Sequence, residues 1–222
     1  MQNTFDECEG IIIRQTKILK GRRMILMLTD NFGKMSAGTS ISERGKAKSA
    51  LALRPFTLGK YQLKRSKGFT NITSGEVIHS YYGLAEDYDK FINASFALEF
   101  TSKILPEDAK ANYYFNLLKE YLDMIERRKK SFSTLTNAYF IKILEHYGVL
   151  PEEDFFQHDE LLSTLDSGIV NLILFFRNNP LSHVEKLALD TDKSAKLLRF
   201  LVTYAEHHLD FGPLKSELPK GD

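Results

Sequence analysis

Cysteine is almost missing from this 222-residue chain: Cys8 stands alone, so no intrachain disulfide is available. A fold that manages without cross-links suits a reducing compartment, and the expected location is the cytoplasm. Long apolar runs are also missing. The longest, such as Ile169 to Phe176, have the length of a core segment, and Met1 to Glu9 holds three acids and no apolar stretch. A protein neither secreted nor inserted in a membrane is expected.

The short motifs of catalysis are missing too. Gly33, Gly38 and Gly45 do not assemble a phosphate-binding GxxxxGK[ST] loop, and there is no GxSxG nucleophile elbow. HExxH and paired-cysteine spacings are absent, and adjacent residues such as His207 and His208 point about 100° apart on a helix. The acidic clusters Glu86-Asp87, Glu152-Glu153-Asp154 and Asp190-Thr191-Asp192 fall where turns or helix starts are expected, and acids are favoured there by the helix dipole. No catalytic residue, metal or cofactor is expected, and the chain reads as a non-enzyme. A hidden nuclease would need three or four carboxylates in one cleft.

What is present is charge, unevenly divided. The chain holds 30 Lys and Arg against 29 Asp and Glu, yet its first 78 residues carry 14 basic and 6 acidic side chains. The two parts are +8 and −7. Such a split suggests a basic module that meets an anionic polymer, joined to an acidic module with another task.

The hydrophobic pattern divides at nearly the same place. Up to about residue 80, short β-rich runs alternate with turn residues: Gly10 to Thr16, Arg23 to Thr29, Lys34 to Thr39, Phe56 to Arg65 and Asn71 to Ile78. Asp30-Asn31-Phe32-Gly33 reads as a hairpin turn, and a phase shift around Gly59 reads as a β-bulge. Five short strands with no long helical pattern among them predict a small barrel of the oligonucleotide/oligosaccharide-binding (OB) type, with an SH3-like barrel as rival. After Tyr82 the period becomes helical. Helices are expected over Asp89 to Leu105, along Tyr114, Leu118, Tyr121 and Ile125, and along Phe132, Leu135, Tyr139 and Ile143 with Gly148 as the stop. Ser182 to Glu185 has capping-box spacing, and Asp192 is placed to cap the helix of Leu197, Leu201 and Tyr204. The expected architecture is α+β in two domains, an OB barrel over 1–80 and an all-α domain over 81–222.

The candidate nucleic-acid contacts are Arg14, Arg22, Arg23, Lys34, Arg44, Lys46, Lys48, Lys64, Arg65 and Lys67, with Lys17, Lys20 and Arg54 in the same basic set. They gather in turns and at strand ends, where cations reach phosphates without reading bases; a merely solvated surface is the plain alternative. Only Phe5, Phe32, Phe56, Tyr61 and Phe69 are aromatic in the first 78 residues, and several are expected in the core. Binding is therefore expected to rest on charge more than on stacking. In the acidic half Arg127-Arg128-Lys129-Lys130 lies between two helices, as a dipole-favoured helix end or as a contact for DNA or an acidic peptide.

Gly10-Ile11-Ile12-Ile13-Arg14, the run from Arg22 to Ala37, Leu53 to Leu58, Glu76-Val77-Ile78, Tyr81 to Asp87, Leu197 to Leu209 and Pro213-Leu214-Lys215-Ser216, in that order, resemble the bacterial recombination mediator family RecO. The resemblance implies an OB barrel, a helical domain and a DNA-repair mediator of the RecF pathway. Such a protein binds single- and double-stranded DNA, anneals complementary strands and, with RecR, helps load RecA on DNA coated by single-strand-binding protein. It implies DNA contact at Arg14, Arg22, Arg23, Lys34 and Lys46, with Ser49 in the same basic loop. It also implies a pocket for the acidic C-terminal tail of single-strand-binding protein, with Arg127 to Lys130, Lys142, Arg177 and Arg199 as the available cations, and a cytoplasmic, nucleoid-associated location. Many members carry a four-cysteine zinc site after a Gly-Tyr-x-Pro turn. Here Gly148-Val149-Leu150-Pro151 leads into a stretch without cysteine, so zinc is not expected and packing by Phe155, Phe156, Leu161 and Leu162 is expected instead. The competing reading is a helical adaptor whose barrel docks on protein.

Overall fold

The computed structural model describes residues 4–18, 22–41, 48–66, 68–107 and 111–219. The chain divides into two compact units, one of Met1–Gly83 with Leu105–Lys119 and the other of Leu84–Ile104 with Glu120–Asp222.

In the first unit, strands β1 (Thr4–Lys17), β2 (Arg23–Thr29), β3 (Gly33–Thr39), β4 (Thr57–Ser66) and β5 (Phe69–Ser80) close into a barrel in the order β1-β2-β3-β5-β4. Closure is made by a parallel pairing of β3 with β5 at Gly38 and Asn71, every other pairing being antiparallel. That order is the OB arrangement and removes the SH3-like rival. A short helix, α1 (Lys48–Ala52), lies between β3 and β4. The pattern expected no helix there, because five residues are barely more than one turn and carry too little periodicity to read.

β1 begins six residues before its apolar run suggests. Its first half pairs with β4 and its second half with β2, and the register shifts between Ile12 and Arg14. A strand shared by two neighbours around a tight barrel needs such a bend, which a bulge supplies. The acids Asp6, Glu7 and Glu9 concealed the first half. The bulge expected at Gly59 is present, as a register shift between Leu58 and Gly59, with another between Gln62 and Leu63. The β2–β3 turn ends on Gly33 at φ 68°, in the left-handed region.

The barrel is filled by Cys8, Ile12, Ile25, Met27, Ala37, Leu53, Tyr61, Leu63 and Ile72. Of its five aromatics only Tyr61 is fully buried. Phe32 and Phe56 are half-buried, while Phe5 and Phe69 are 69% and 44% exposed. The expectation that several would fill the core is thus corrected: aliphatic side chains and one tyrosine suffice for so narrow a barrel.

In the second unit, α2 (Tyr88–Ile104), α4 (Phe132–Tyr147), α5 (Ser167–Asn178), α6 (Leu181–Val184) and α7 (Thr191–His208) belong wholly to the helical body, and α3 (Ala111–Arg127) is divided between the units at residue 119. α4 is its centre. Twelve of its 16 residues are buried, and Phe140 stacks on Phe100 at 3.7 Å and beside Phe96 at 5.5 Å. The polar groups buried with it are paired: Tyr121 Oη meets Thr136 Oγ1 at 2.9 Å, Thr136 Oγ1 donates to Asn93 Oδ1 at 2.7 Å, and Thr101 Oγ1 meets Tyr139 Oη at 2.6 Å. Such pairing removes the cost of burying them. Gly148 ends α4 at φ 83° and donates its N–H to the Glu145 carbonyl at 2.9 Å, as the sequence predicts.

Two capping expectations are corrected. α6 begins behind Pro180, so Ser182 already lies within its first turn and no side chain caps the helix. α7 is capped by Asp190, whose Oδ1 accepts from the Lys193 amide at 3.1 Å, while Asp192 sits inside the first turn. The Pro213 to Ser216 ending is held by α2: Glu99 accepts from the amides of Lys215 at 2.8 Å and Ser216 at 2.6 Å, and Lys103 Nζ donates to the Gly212 carbonyl at 2.6 Å.

The cysteine-free stretch after Pro151 is held partly as expected. Phe156 and Leu162 are buried, but Phe155 is 58% exposed. Its main polar anchor is Asp159, which accepts from the amides of Leu161 and Leu162 at 2.9 and 2.8 Å and from Tyr204 Oη at 2.9 Å, with His208 Nε2 3.6 Å away. Burial opposes ionisation of this carboxyl, but the Leu162 amide, the Tyr204 hydroxyl, the Leu161 amide and His208 outweigh it and hold its pKa below the ordinary value. A depressed carboxyl contributes stability above its unfolded pKa and loses it as pH falls through the folded one. Amide exchange at Leu161 and Leu162, corrected for the intrinsic rate, is therefore expected to rise on acidification below the ordinary carboxylate range. Asp159→Asn is expected to flatten that rise; an unchanged acid dependence in the variant contradicts the assignment.

Candidate nucleic-acid interface

One groove of about 550 Å³ lies on the barrel. Its floor is Gly38 to Ser40 at the end of β3 and Phe69 to Thr73 at the start of β5, Lys64 of β4 borders it, and Ile18, Arg22 and Arg23 enter from the β1–β2 connection. The groove thus lies on the β3–β5 seam beside the β1–β2 connection, one of the two loops with which OB barrels take extended polymers. Three cations and no carboxylate line it among the described residues. Register explains the layout. Phe5, Lys64, Asn71 and Gly38 are successive partners across β1, β4, β5 and β3, so they form one row on the barrel wall.

The ten candidate cations of the barrel do not share one environment. Arg22 is exposed at the groove wall, and Lys64 is half-buried with its Nζ 6.0 Å from the centre of the Phe5 ring. Arg23 also lines the groove, but it is only 3% exposed. Its guanidinium donates to Gln15 Oε1 at 2.7 Å and to the Ile41 carbonyl at 2.6 Å, tying β1 to the chain beyond β3. Arg65 points the other way, 3.1 Å from Asp6 Oδ2 and stacked 3.9 Å over the Phe32 ring. Arg14 is exposed on β1 outside the groove. Lys34 is the second residue of β3 and bridges to Glu107; burial pulls its pKa down against the opposing charge of Glu107. Arg44, Lys46 and Lys67, with Lys20 of the wider set, lie outside the described residues, as does the side chain of Lys48, whose backbone opens α1 with Ser49.

The helical unit carries a second groove, of about 290 Å³, lined by Met124, the run Arg127 to Lys130, and Glu185 to Ala188. Within the run the roles divide. Arg127, Lys129 and Lys130 are exposed, as is Lys186 across the groove. Arg128 turns inward: Nε donates to the carbonyls of Lys130 at 2.8 Å and Ser131 at 3.0 Å, Nη1 to those of Val184 at 3.1 Å and Glu185 at 2.9 Å, and Nη2 to that of Leu187. It fixes the entry to α4, where Ser131 takes a left-handed backbone at φ 55°. The other candidate cations are elsewhere. Lys142 Nζ donates to the Arg177 carbonyl and lies 3.7 Å from Glu145, while Arg177 donates to the Pro151 carbonyl at 2.6 Å and to Glu145 at 3.3 Å. Arg199 is exposed on α7, away from the groove lining. Lys186 was missed by sequence reasoning, since nothing in its local pattern brings it beside a run nearly 60 residues earlier.

Among the described residues no group of three or more His, Cys, Asp or Glu side chains converges as metal ligands do. His207 and His208 face separate acids, Glu160 at 3.9 Å and Asp159 at 3.6 Å. No described helix is long and apolar enough to cross a membrane.

A closed five-stranded OB barrel with a cationic groove, followed by a helical unit, places the chain in the class of OB-fold proteins. The Recombination protein O N terminal profile matches residues 1–81 and the Recombination protein O C terminal profile matches residues 85–155. The chain belongs to the Recombination protein O (RecO) family. It is 24% identical over 143 residues to the DNA repair protein RecO of Alkaliphilus metalliredigens, covering 64% of this chain and 58% of the relative. Similar relatives are those of Caldanaerobacter subterraneus, 24% identical over 150 residues with 68% and 61% covered, and Listeria monocytogenes, 27% identical over 149 residues with 67% and 58% covered. The matches thus span about six tenths of the relatives' length.

Proposed function

We propose that this chain is a DNA repair and recombination mediator that works by binding, without covalent chemistry. The barrel groove grips the sugar-phosphate backbone of single- and double-stranded DNA with Arg22 and Lys64. The helical groove takes an acidic peptide, the C-terminal tail of single-strand-binding protein, between Arg127, Lys129, Lys130 and Lys186, with Met124 and Leu187 as its apolar lining. In this reading residues 1–80 serve as the DNA module and 81–222 as the partner module. Holding both ligands, the protein anneals complementary strands and, with RecR, helps load RecA on coated DNA in the cytoplasm, at the nucleoid.

The observation that carries the reading is the groove itself: cations without carboxylates among the described residues, beside the β1–β2 connection with which OB barrels take a polymer. The relatives' name, DNA repair protein RecO, points the same way. The test is fluorescence anisotropy of a labelled single-stranded oligonucleotide at several salt concentrations. Affinity is expected to fall steeply with salt, and Arg22→Ala and Lys64→Ala are each expected to make the logarithmic slope shallower by roughly 0.7. Arg23→Ala is left out, because Arg23 holds the groove together and its loss reports on folding. Absence of binding at low salt would overturn the reading in favour of a protein-docking barrel.

A further inference from the structure

The cations of the barrel groove account for backbone binding, but the groove also holds an aromatic ring that charge does not explain. Phe69 opens β5 and is 44% exposed, although a phenylalanine that served only the core would be turned inward. Its position is set by Gly38 on the neighbouring strand. A Cβ at Gly38 would lie 2.6 Å from Phe69 Cζ and 3.2 Å from Cε1, so the ring edge occupies the place of the missing side chain. Asn71 Oδ1 lies 3.1 Å from the same point, which sets a side-chain amide next to the ring on the groove floor. Lys64 is the register partner of Asn71, and Arg22 stands on the groove wall.

An apolar ring face, an adjacent amide with one donor and one acceptor group, and flanking cations make up a subsite for one nucleotide. The ring suits the flat face of a base, the amide suits its polar edge, and the cations suit the phosphates on either side. A base inside a duplex has both faces covered by its neighbours and its edge engaged by its partner. A duplex therefore offers the ring no free base face, and its phosphates remain for the cations to hold.

We infer that Phe69, seated on Gly38 and flanked by Asn71, is the single-strand determinant of the groove: an unstacked base lies on its ring, while Arg22 and Lys64 hold backbone of either form. This rests on the DNA-binding reading above. It divides the groove into a part that sets affinity for any nucleic acid and a part that distinguishes strands.

The experiment compares the full-length protein with its Phe69→Ala, Phe69→Leu and Gly38→Ala variants on three probes of one length: a single strand, the same single strand built of abasic units, and a duplex. Phe69→Ala and Phe69→Leu are expected to weaken the single strand by about 5- to 100-fold with an unchanged salt slope. Duplex and abasic binding are expected to stay within about twofold of the wild type, which itself is expected to bind the abasic probe as weakly as the variants bind the single strand. Gly38→Ala, which keeps the phenyl group but displaces it, is expected to behave as the Phe69 variants do. A 2-aminopurine in the single strand reports the stacking directly, its emission falling on the wild type and not on Phe69→Leu. Equal losses on all three probes, or no loss on the single strand, would overturn the inference while leaving salt-dependent binding in place. Failure of every probe to bind the wild type would overturn the DNA-binding reading, and this inference with it.

Discussion

Replacement of Arg128 by alanine is expected to lower the melting temperature by roughly 5–15 °C, corresponding to about 2–4 kcal/mol for a chain of this size. The reason is how many groups depend on one guanidinium. Five carbonyls, of Lys130, Ser131, Val184, Glu185 and Leu187, accept from Arg128. Two of them belong to the connection into α4, one to the last residue of α6 and two to the chain leaving it. Removing the donor leaves these carbonyls to find water in a half-buried place and frees Ser131 from a backbone conformation unfavourable to a serine. Arg128→Lys is expected to recover only part of the loss, since a compact ammonium with three donors does not span five acceptors in a planar fork. Circular dichroism melts of the three proteins decide the matter. Equal melting temperatures for wild type and Arg128→Ala would show the carbonyls to be equally content with water, and Arg128 would return to the set of available cations.

The second large effect is expected in the barrel, at Tyr61. Its ring lies over Gly59, where a Cβ would stand 2.7 Å from the hydroxyl, and the hydroxyl donates to the Ala52 carbonyl at 2.6 Å. The one side chain thus fills the centre of the barrel and pins α1 to its end. Tyr61→Ala is expected to cost about 3–5 kcal/mol, as for other large aromatic core residues, and Tyr61→Phe about 1 kcal/mol for the hydrogen bond alone. Cys8 supplies the readout. It is 3% exposed, and burial, followed by the negative charge of Asp30, pushes its thiol up to about 12. At pH 8 it reacts with an alkylating reagent only when the barrel opens. The rate at Cys8 is expected to rise by about two to four orders of magnitude in Tyr61→Ala and by about fivefold in Tyr61→Phe. Similar rates in all three proteins would mean that the barrel does not depend on Tyr61.

Much of this architecture was legible before the structure, for identifiable reasons. Strands such as Arg23–Thr29 carry a local signal in β-rich apolar residues, and Gly33 and Gly148 mark stops that local backbone geometry demands. The first half of β1 was hidden because Asp6, Glu7 and Glu9 broke its apolar run. α1 was hidden by its brevity.

The candidate site was less legible, because charge in a sequence does not say which way a side chain turns. Arg22 and Arg23 are neighbours with opposite roles, one exposed at the groove and one bonded inward to Gln15 and Ile41. The difference follows from position: Arg23 opens β2 and is paired with Lys17 and Thr39, while Arg22 lies before the strand. The exposure of Phe69 was hidden for a similar reason. Its exposure depends on Gly38, thirty-one residues earlier, and on a parallel pairing between non-consecutive strands that no local pattern announces. In the helical unit, Lys186 and the run from Arg127 meet only through packing, and Asp159 took on its anchoring role through Tyr204 of α7.

The central claim is that nucleic acid lies in the barrel groove, and hydrogen exchange of the full-length protein with and without a saturating single-stranded oligonucleotide tests it most directly. Slowed exchange is expected in the segments around Arg22, from Gly38 to Ser40 and from Phe69 to Thr73. Exchange in α5 and α7 is expected to stay as it is in the free protein. Protection confined to the helical unit, with the groove segments unaffected, would contradict the account.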